Sequence, residues 1–365
     1  MIICPRSRRW LVEPNQPKNH NRLLSVSVPG KALLFGEYGV MRGGEAVVLP
    51  LPAYRMSVSI SISAPVEKPV HHFVSRFLPE RLALEQSELE GVLFGDSESE
   101  LRNFACYLSG YREYLSKTAV AAEVNASFAP SLGFGSSSAL LACFHIALSE
   151  FVYAKKGSAQ LEIKNYWQCL YDSLLRLQGH GSGYDAAVQT WFALCCSDQR
   201  STSLLRFKNI SHGLELSFNG FEPEIARIPV EPNDLRQFGC FVETGVRSDT
   251  RAVLKSAMRK VLPEEFFAAQ SDFARRFLQN PTSAQAMRLC REASALARRS
   301  ELLPQRTEIE NFVSECERLD IPWKTMGAGH GDCLWVMASR SAIESIIRKI
   351  SAQSLKVRHA FEEEQ

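Results

Sequence analysis

A glycine- and serine-rich turn, Pro130-Ser131-Leu132-Gly133-Phe134-Gly135-Ser136-Ser137-Ser138-Ala139, runs straight into a helical pattern over residues 137–154 that is apolar nearly all round. A helix with no polar face cannot lie on a surface and must be enclosed by other elements. The 365 residues, 45% of them hydrophobic, are enough to bury it. β-type runs precede it at residues 23–28, 32–35, 55–62 and 118–126, and a second helical pattern follows at 161–177. Further strand-like runs lie at 191–196, 203–207, 224–228 and 238–243. Residues 249–318 read as helical, and a strand (333–338), a helix (341–350) and a short run (355–360) finish the chain. Mixed runs without a regular βαβ repeat predict an α+β fold.

The turn itself suggests a ligand. Glycines let backbone N–H groups approach an anion closely, and a helix N-terminus adds a favourable dipole. The hydroxyls of Ser136, Ser137 and Ser138 can donate to phosphate or ligate Mg²⁺. A plain turn with a serine N-cap reads the same way in isolation. Neither the G-x-x-x-x-G-K-[ST] nor the G-x-G-x-x-G phosphate-binding pattern is present.

Charge and cysteine usage narrow the classes. With 42 basic against 40 acidic residues the net charge is +2, so neither nucleic acid nor a membrane is expected as the main partner. No apolar run approaches the ~18 residues of a membrane span. The ten cysteines are scattered without a C-x-x-C pair, which fits reduced core thiols in a cytoplasmic protein better than zinc or disulfides. Residues 1–21 are expected to form a polar arm. A soft boundary in the turn-rich 197–235 region divides the rest into 22–200 and 201–365.

Two more glycine-rich segments accompany the first. Pro29-Gly30-Lys31-Ala32-Leu33-Leu34-Phe35-Gly36-Glu37-Tyr38-Gly39 places Lys31 and Glu37 at the two ends of an apolar strand. Lys324-Thr325-Met326-Gly327-Ala328-Gly329-His330-Gly331-Asp332-Cys333 is a glycine-dense turn entering a strand, where backbone either turns tightly or packs against a ligand.

In order and spacing these three segments resemble the three motifs of the GHMP kinase superfamily, over roughly residues 23–350. The resemblance implies an N-terminal domain like ribosomal protein S5 domain 2, a C-terminal α/β plait, and ATP and a small-molecule substrate in the cleft between them. Pro-Gly-Lys-x4-Gly-Glu-Tyr at 29–38, Gln178-Gly179-His180-Gly181-Ser182-Gly183-Tyr184-Asp185 and the Asp332 of the third segment are similar to phosphomevalonate kinases. Thr244-Gly245-Val246-Arg247-Ser248-Asp249-Thr250-Arg251 looks more like mevalonate kinases. A non-catalytic nucleotide-binding relative is the third alternative. Phe134 stands where Leu is commoner, no Lys precedes the middle motif, and Asp172 is the nearest acid to the family's second metal-ligand position.

The resemblance assigns roles residue by residue. Gly133, Gly135, Ser136, Ser137, Ser138 and Ala139 would surround the ATP phosphates, with Ser137 on Mg²⁺. Asp185 would lie beside the acceptor oxygen as base or orienter, with Lys31 close by to keep it ionised. Glu37, Tyr38, His180, Ser182, Arg247, Arg251, Gly327, Ala328 and Gly329 would contact substrate, the cations gripping a phosphorylated acceptor. A cytoplasmic monomer or homodimer is expected.

Overall fold

The computed structural model describes residues 22–75, 80–89, 92, 99–129, 132–156, 163–178, 181–195, 203–209, 221–246, 264–326, 332–352 and 354–361. Two long strands, β1 (Arg22–Phe35) and β2 (Ala46–Ile62), pair antiparallel and organise the N-terminal half. In β2 the inward Met56, Val58, Ile60 and Ile62 alternate with Ser57, Ser59 and Ser61, the period-2 pattern of a half-buried strand. The ladder slips at Pro29/Gly30, so β1 changes face there, and Ala32 to Phe35 are buried.

β3 (Val70–Ser75), β4 (Leu82–Glu85), β5 (Val120–Ala126), β6 (Leu205–Asn209) and β7 (Pro223–Arg227) complete a seven-stranded sheet in the order β4-β3-β5-β2-β6-β7, with β1 also on β2. All described pairings are antiparallel except β3 with β5. Helices α1 (Ser99–Ser109) and α2 (Arg112–Leu115) precede β5. The enclosed helix is α3 (Ser136–Lys156), laid on β1 and β2 beside α4 (Ile163–Gln178) and α5 (Tyr184–Cys195). Leu141, Cys143, Phe144, Ala147 and Leu148 on α3 are all buried, as its all-round apolarity requires.

The second sheet, β11-β8-β10-β9, is antiparallel and built from β8 (Cys240–Glu243), β9 (Trp323–Thr325), β10 (Cys333–Val336) and β11 (Lys356–His359). Its side chains alternate between two cores. Cys240, Val242, Leu334 and Val336 face α9 (Thr307–Arg318) and α10 (Arg340–Lys349). Phe241, Cys333 and Trp335 face α7 (Glu264–Gln279), α8 (Ser283–Arg299) and the end of β1. This second core is shared: Phe35 of β1 meets both Phe277 and Trp335, so the two sheets are joined by packing. The remaining helix, α6 (Pro232–Gln237), leads into β8.

Two expectations need correction. Residues 191–195 are the end of α5, because a short apolar run does not distinguish a buried helix from a strand. β2 begins at Ala46, earlier than residue 55, and runs through Pro50 and Pro52, which disguise a strand in sequence. β6 pairs with β2 and β7 with β6, so both strands belong to the first sheet. Cys143, Cys169, Cys290, Cys316 and Cys333 are free thiols. No described helix is long and apolar enough to cross a membrane.

Candidate functional site

The three glycine-rich segments converge at the N-terminus of α3. The Lys31 N–H donates to the Phe134 carbonyl at 3.0 Å, joining the first segment to the middle one. The Cys333 thiol donates to the Leu132 carbonyl at 3.3 Å, joining the third. Gln189 of α5 ties in the fourth element: its Nε2 donates to the Pro29 carbonyl at 2.9 Å and to the Gly135 carbonyl at 3.3 Å. Asp185 lies one turn before Gln189 on the same face of α5.

The turn is narrow because it is packed from two sides. Gly133 and Gly135 have φ of +69° and +75°, the left-handed region that glycine adopts without strain. A Cβ at Gly133 would lie 2.6 Å from the Asp332 Cβ, and one at Gly135 would lie 2.7 Å from the Lys31 Cε. Phe134, between them, points the other way and packs on Tyr54, Phe128 and Phe241. Its size therefore serves the shared core. Of the three serines, Ser138 is buried with its hydroxyl on the Gly135 carbonyl at 2.9 Å. Ser136 is half-buried and Ser137 is exposed, so the hydroxyl assigned to Mg²⁺ is on the open side; Ala139 is buried. A cradle that a Cβ would fill, a helix N-terminus and an exposed hydroxyl fit a phosphate chain with its Mg²⁺.

Lys31 and Asp185 come together as expected. The Lys31 Nζ is 3.7 Å from Asp185 Oδ2, with side-chain exposures of 8% and 24%, so the pair is closed on the lysine side and open on the aspartate side. The shorter contact is with Tyr184, whose hydroxyl accepts from Nζ at 2.8 Å. Burial disfavours the ammonium, yet Tyr184 and Asp185 outweigh it and the Lys31 pKa lies above the ordinary lysine value. Asp332 also faces this charge.

Glu37 and Tyr38 are placed differently from the substrate contacts expected of them. Glu37 is buried and hydrogen-bonded to Lys324 Nζ, which also donates to the Thr325 carbonyl at 2.7 Å. Burial raises the Glu37 pKa despite the neighbouring lysine. Tyr38 is buried against Phe266 and Phe267 of α7 at ring distances of 5.3 and 6.4 Å. Both residues tie the first segment to the C-terminal half.

Ser182 is half-buried in the turn entering α5. Asp172 accepts from Gln168 Nε2 at 2.8 Å, within its own helix. Residues 244–246 are fastened to the third segment: the Thr244 N–H and Oγ1 donate to the Asp332 carbonyl at 2.8 and 2.9 Å, and the Asp332 N–H donates to the Val246 carbonyl at 2.6 Å. Arg306 donates to the Thr244 carbonyl at 2.8 Å. His180, Arg247, Arg251, Gly327, Ala328 and Gly329 lie outside the described residues.

Tyr184, Gln189, Lys324 and Arg306 were not singled out in the sequence. Tyr184 adjoins Asp185 and Lys324 opens the third segment, so position alone flags these two. Gln189 and Arg306 carry no local signal.

No family model and no curated protein sequence matches the chain. Solved structures do. The mevalonate kinase of Methanococcus jannaschii superposes with a TM-score of 0.64 at 17% identity, covering 94% of this chain and 98% of its own. The Streptococcus pneumoniae phosphomevalonate kinase in complex with phosphomevalonate and AMPPNP gives 0.62 at 12% identity, covering 92% and 99%. Lactococcus lactis galactokinase complexed with galactose gives 0.61 at 12% identity, covering 93% of each. Across nearly its whole length, the chain has the fold of the GHMP kinases.

Proposed function

We propose that the protein is an ATP-dependent small-molecule kinase, and that its acceptor is 5-phosphomevalonate. The observation that carries the kinase reading is the meeting of a glycine-lined helix N-terminus with a buried lysine and a half-open aspartate. Phosphoryl transfer asks a protein chiefly to place charge and hold two oxygens in line. Backbone N–H groups of the 133–136 turn bind the β- and γ-phosphates, and Ser136 and Ser137 offer hydroxyls at their edge. Mg²⁺, held by Ser137, supplies neutralising charge on those phosphates when bound. Lys31 balances negative charge arriving at the cleft, and Asp185 orients the acceptor through its partly exposed carboxylate. A bond forms between the acceptor oxygen and the γ-phosphorus, the β–γ bridging bond breaks, and ADP leaves.

The phosphomevalonate assignment rests on Tyr38, Asp332 and the 178–185 segment resembling phosphomevalonate kinases. The cationic grip on its phosphate is assigned to His180, Arg247 and Arg251, with Gly327, Ala328 and Gly329 giving backbone contacts. Reduced cysteines accord with a cytoplasmic enzyme.

One observation favours mevalonate as a second reading. An alcohol must lose a proton, which the open carboxylate of Asp185 can take, whereas a phosphate is already largely ionised at neutral pH. ADP release from MgATP, with mevalonate and 5-phosphomevalonate offered in parallel, decides. Turnover with the phosphorylated acceptor alone is the expected result. Turnover with mevalonate alone transfers the reading to mevalonate kinase, and silence with both removes the mevalonate-pathway assignment.

A further inference from the structure

Lys31 keeps its charge in a buried place, and its partners show how. Facing it are Tyr184 and Asp185 from α5, Asp332 from the turn before β10, and Glu37 from beyond the end of its own strand. Among these, the hydrogen bond recorded to its ammonium is that of the Tyr184 hydroxyl, at 2.8 Å. Asp185, at 3.7 Å, is beyond hydrogen-bond distance and acts on Lys31 through charge alone.

We propose that Tyr184 is a positioning residue for Lys31: its hydroxyl takes one ammonium N–H, holding the charge beside Asp185 without occupying an Asp185 oxygen. The proposal rests on the kinase reading for its consequence, though not for its geometry. An ammonium locked directly onto Asp185 would compete with the acceptor for that carboxylate. A lysine with no acceptor at all would lose its charge to burial. The phenol avoids both outcomes.

The geometry around Tyr184 makes the hydroxyl a fixed acceptor. Tyr184 is the first residue of α5 and 8% exposed. Its ring sits 6.3 Å from the Phe207 ring of β6, edge to face. Burial pushes the phenol's own pKa up, so it stays neutral and acts as a dipole. Its neighbour in sequence, Asp185, leaves the helix about 100° further round, so consecutive residues present an uncharged acceptor and a charged one to the same ammonium.

The test is Tyr184→Phe, with Phe207→Leu as a control that loosens the ring's packing and keeps the hydroxyl. The charge state of Lys31 is followed by NMR in protein carrying ¹³Cε-labelled lysine, with Lys31→Arg assigning the resonance, and no substrate is present. Tyr184→Phe is expected to lower the Lys31 titration midpoint by about one pH unit or more, the size of a lost hydrogen bond to a charged group. Phe207→Leu should leave it in place. In ADP-release assays, Tyr184→Phe should lower kcat about tenfold with the KM for MgATP unchanged. An unmoved midpoint in Tyr184→Phe, or an equal shift in Phe207→Leu, overturns the proposal. So does a lowered midpoint with unchanged kcat in an active enzyme. If the wild type turns over no acceptor, the kinase reading fails, and the midpoint alone judges Tyr184.

Discussion

Two buried lysines, Lys31 and Lys324, sit at opposite ends of the first glycine-rich segment and do different things with their charge. Lys324 is enclosed with Glu37: side-chain exposures are 3% and 5%, and the two groups are directly hydrogen-bonded. Lys31 is nearly as buried, but its carboxylate partner is 24% exposed and stands off at 3.7 Å. The first pair spends its charges on each other and joins the N-terminal strand to the C-terminal sheet. The second leaves a carboxylate oxygen available to whatever enters the cleft. His145 of α3 shows what burial does to a group with neither arrangement. Among the described residues its ring is hydrogen-bonded to the Tyr111 and Ser173 hydroxyls, and burial lowers its pKa to about 3. At these three positions, buried charge is kept where a charged partner is supplied and lost where none is.

That contrast can be broken most forcefully at the closed pair. Lys324→Met strands the Glu37 carboxylate in the core and should cost about 3 kcal/mol or more of unfolding free energy in urea titrations. Adding Glu37→Leu should recover most of the loss, because removing both charges is far cheaper than removing one. A single variant as stable as the wild type would make the pair incidental.

A smaller effect is expected at the open site. Gly133→Ala and Gly135→Ala each force a side chain into left-handed backbone and against Asp332 or Lys31. Each should lose about 2 kcal/mol of stability and weaken MgATP binding, measurable by calorimetry. Undiminished nucleotide affinity in both would place the phosphates elsewhere.

An effect that depends on pH sharpens the yardstick. Because the His145 pKa is about 3 in the folded protein and near 6.5 in the unfolded chain, acid favours the unfolded chain, which takes up the proton. Stability from this group is therefore complete above about pH 6.5 and lost progressively towards pH 3, with a slope of about 1.4 kcal/mol per pH unit. His145→Gln should reduce the slope of stability against pH by that amount over the same window.

Much of this arrangement was legible in the sequence, for physical reasons that also mark its limit. The 133–139 turn, Lys31 and Asp185 announce themselves because glycine at a close approach and charge beside it leave local signatures. The all-round apolarity of α3 likewise required the enclosure that β1, β2, α4 and α5 provide. The pairing of Glu37 was not legible because its partner lies 287 residues later, and nothing local distinguishes a carboxylate facing a cleft from one facing a buried lysine. The ring of Tyr38 likewise packs on Phe266, a tertiary contact with no local signature. Phe134, a departure from the commoner motif, is accounted for by Phe241 packed against it. Spacing reveals which residues are special, and only packing reveals whether they serve the cleft or the core.

The most direct test of the account compares turnover and stability in one variant, Asp185→Asn. ADP release with the working acceptor and the urea midpoint are measured on the same preparation. The account predicts a loss of turnover of at least about a hundredfold, with a fall in midpoint much smaller than that of Lys324→Met, because Tyr184 still accepts from the buried Lys31 ammonium. Near-normal turnover in Asp185→Asn would contradict it.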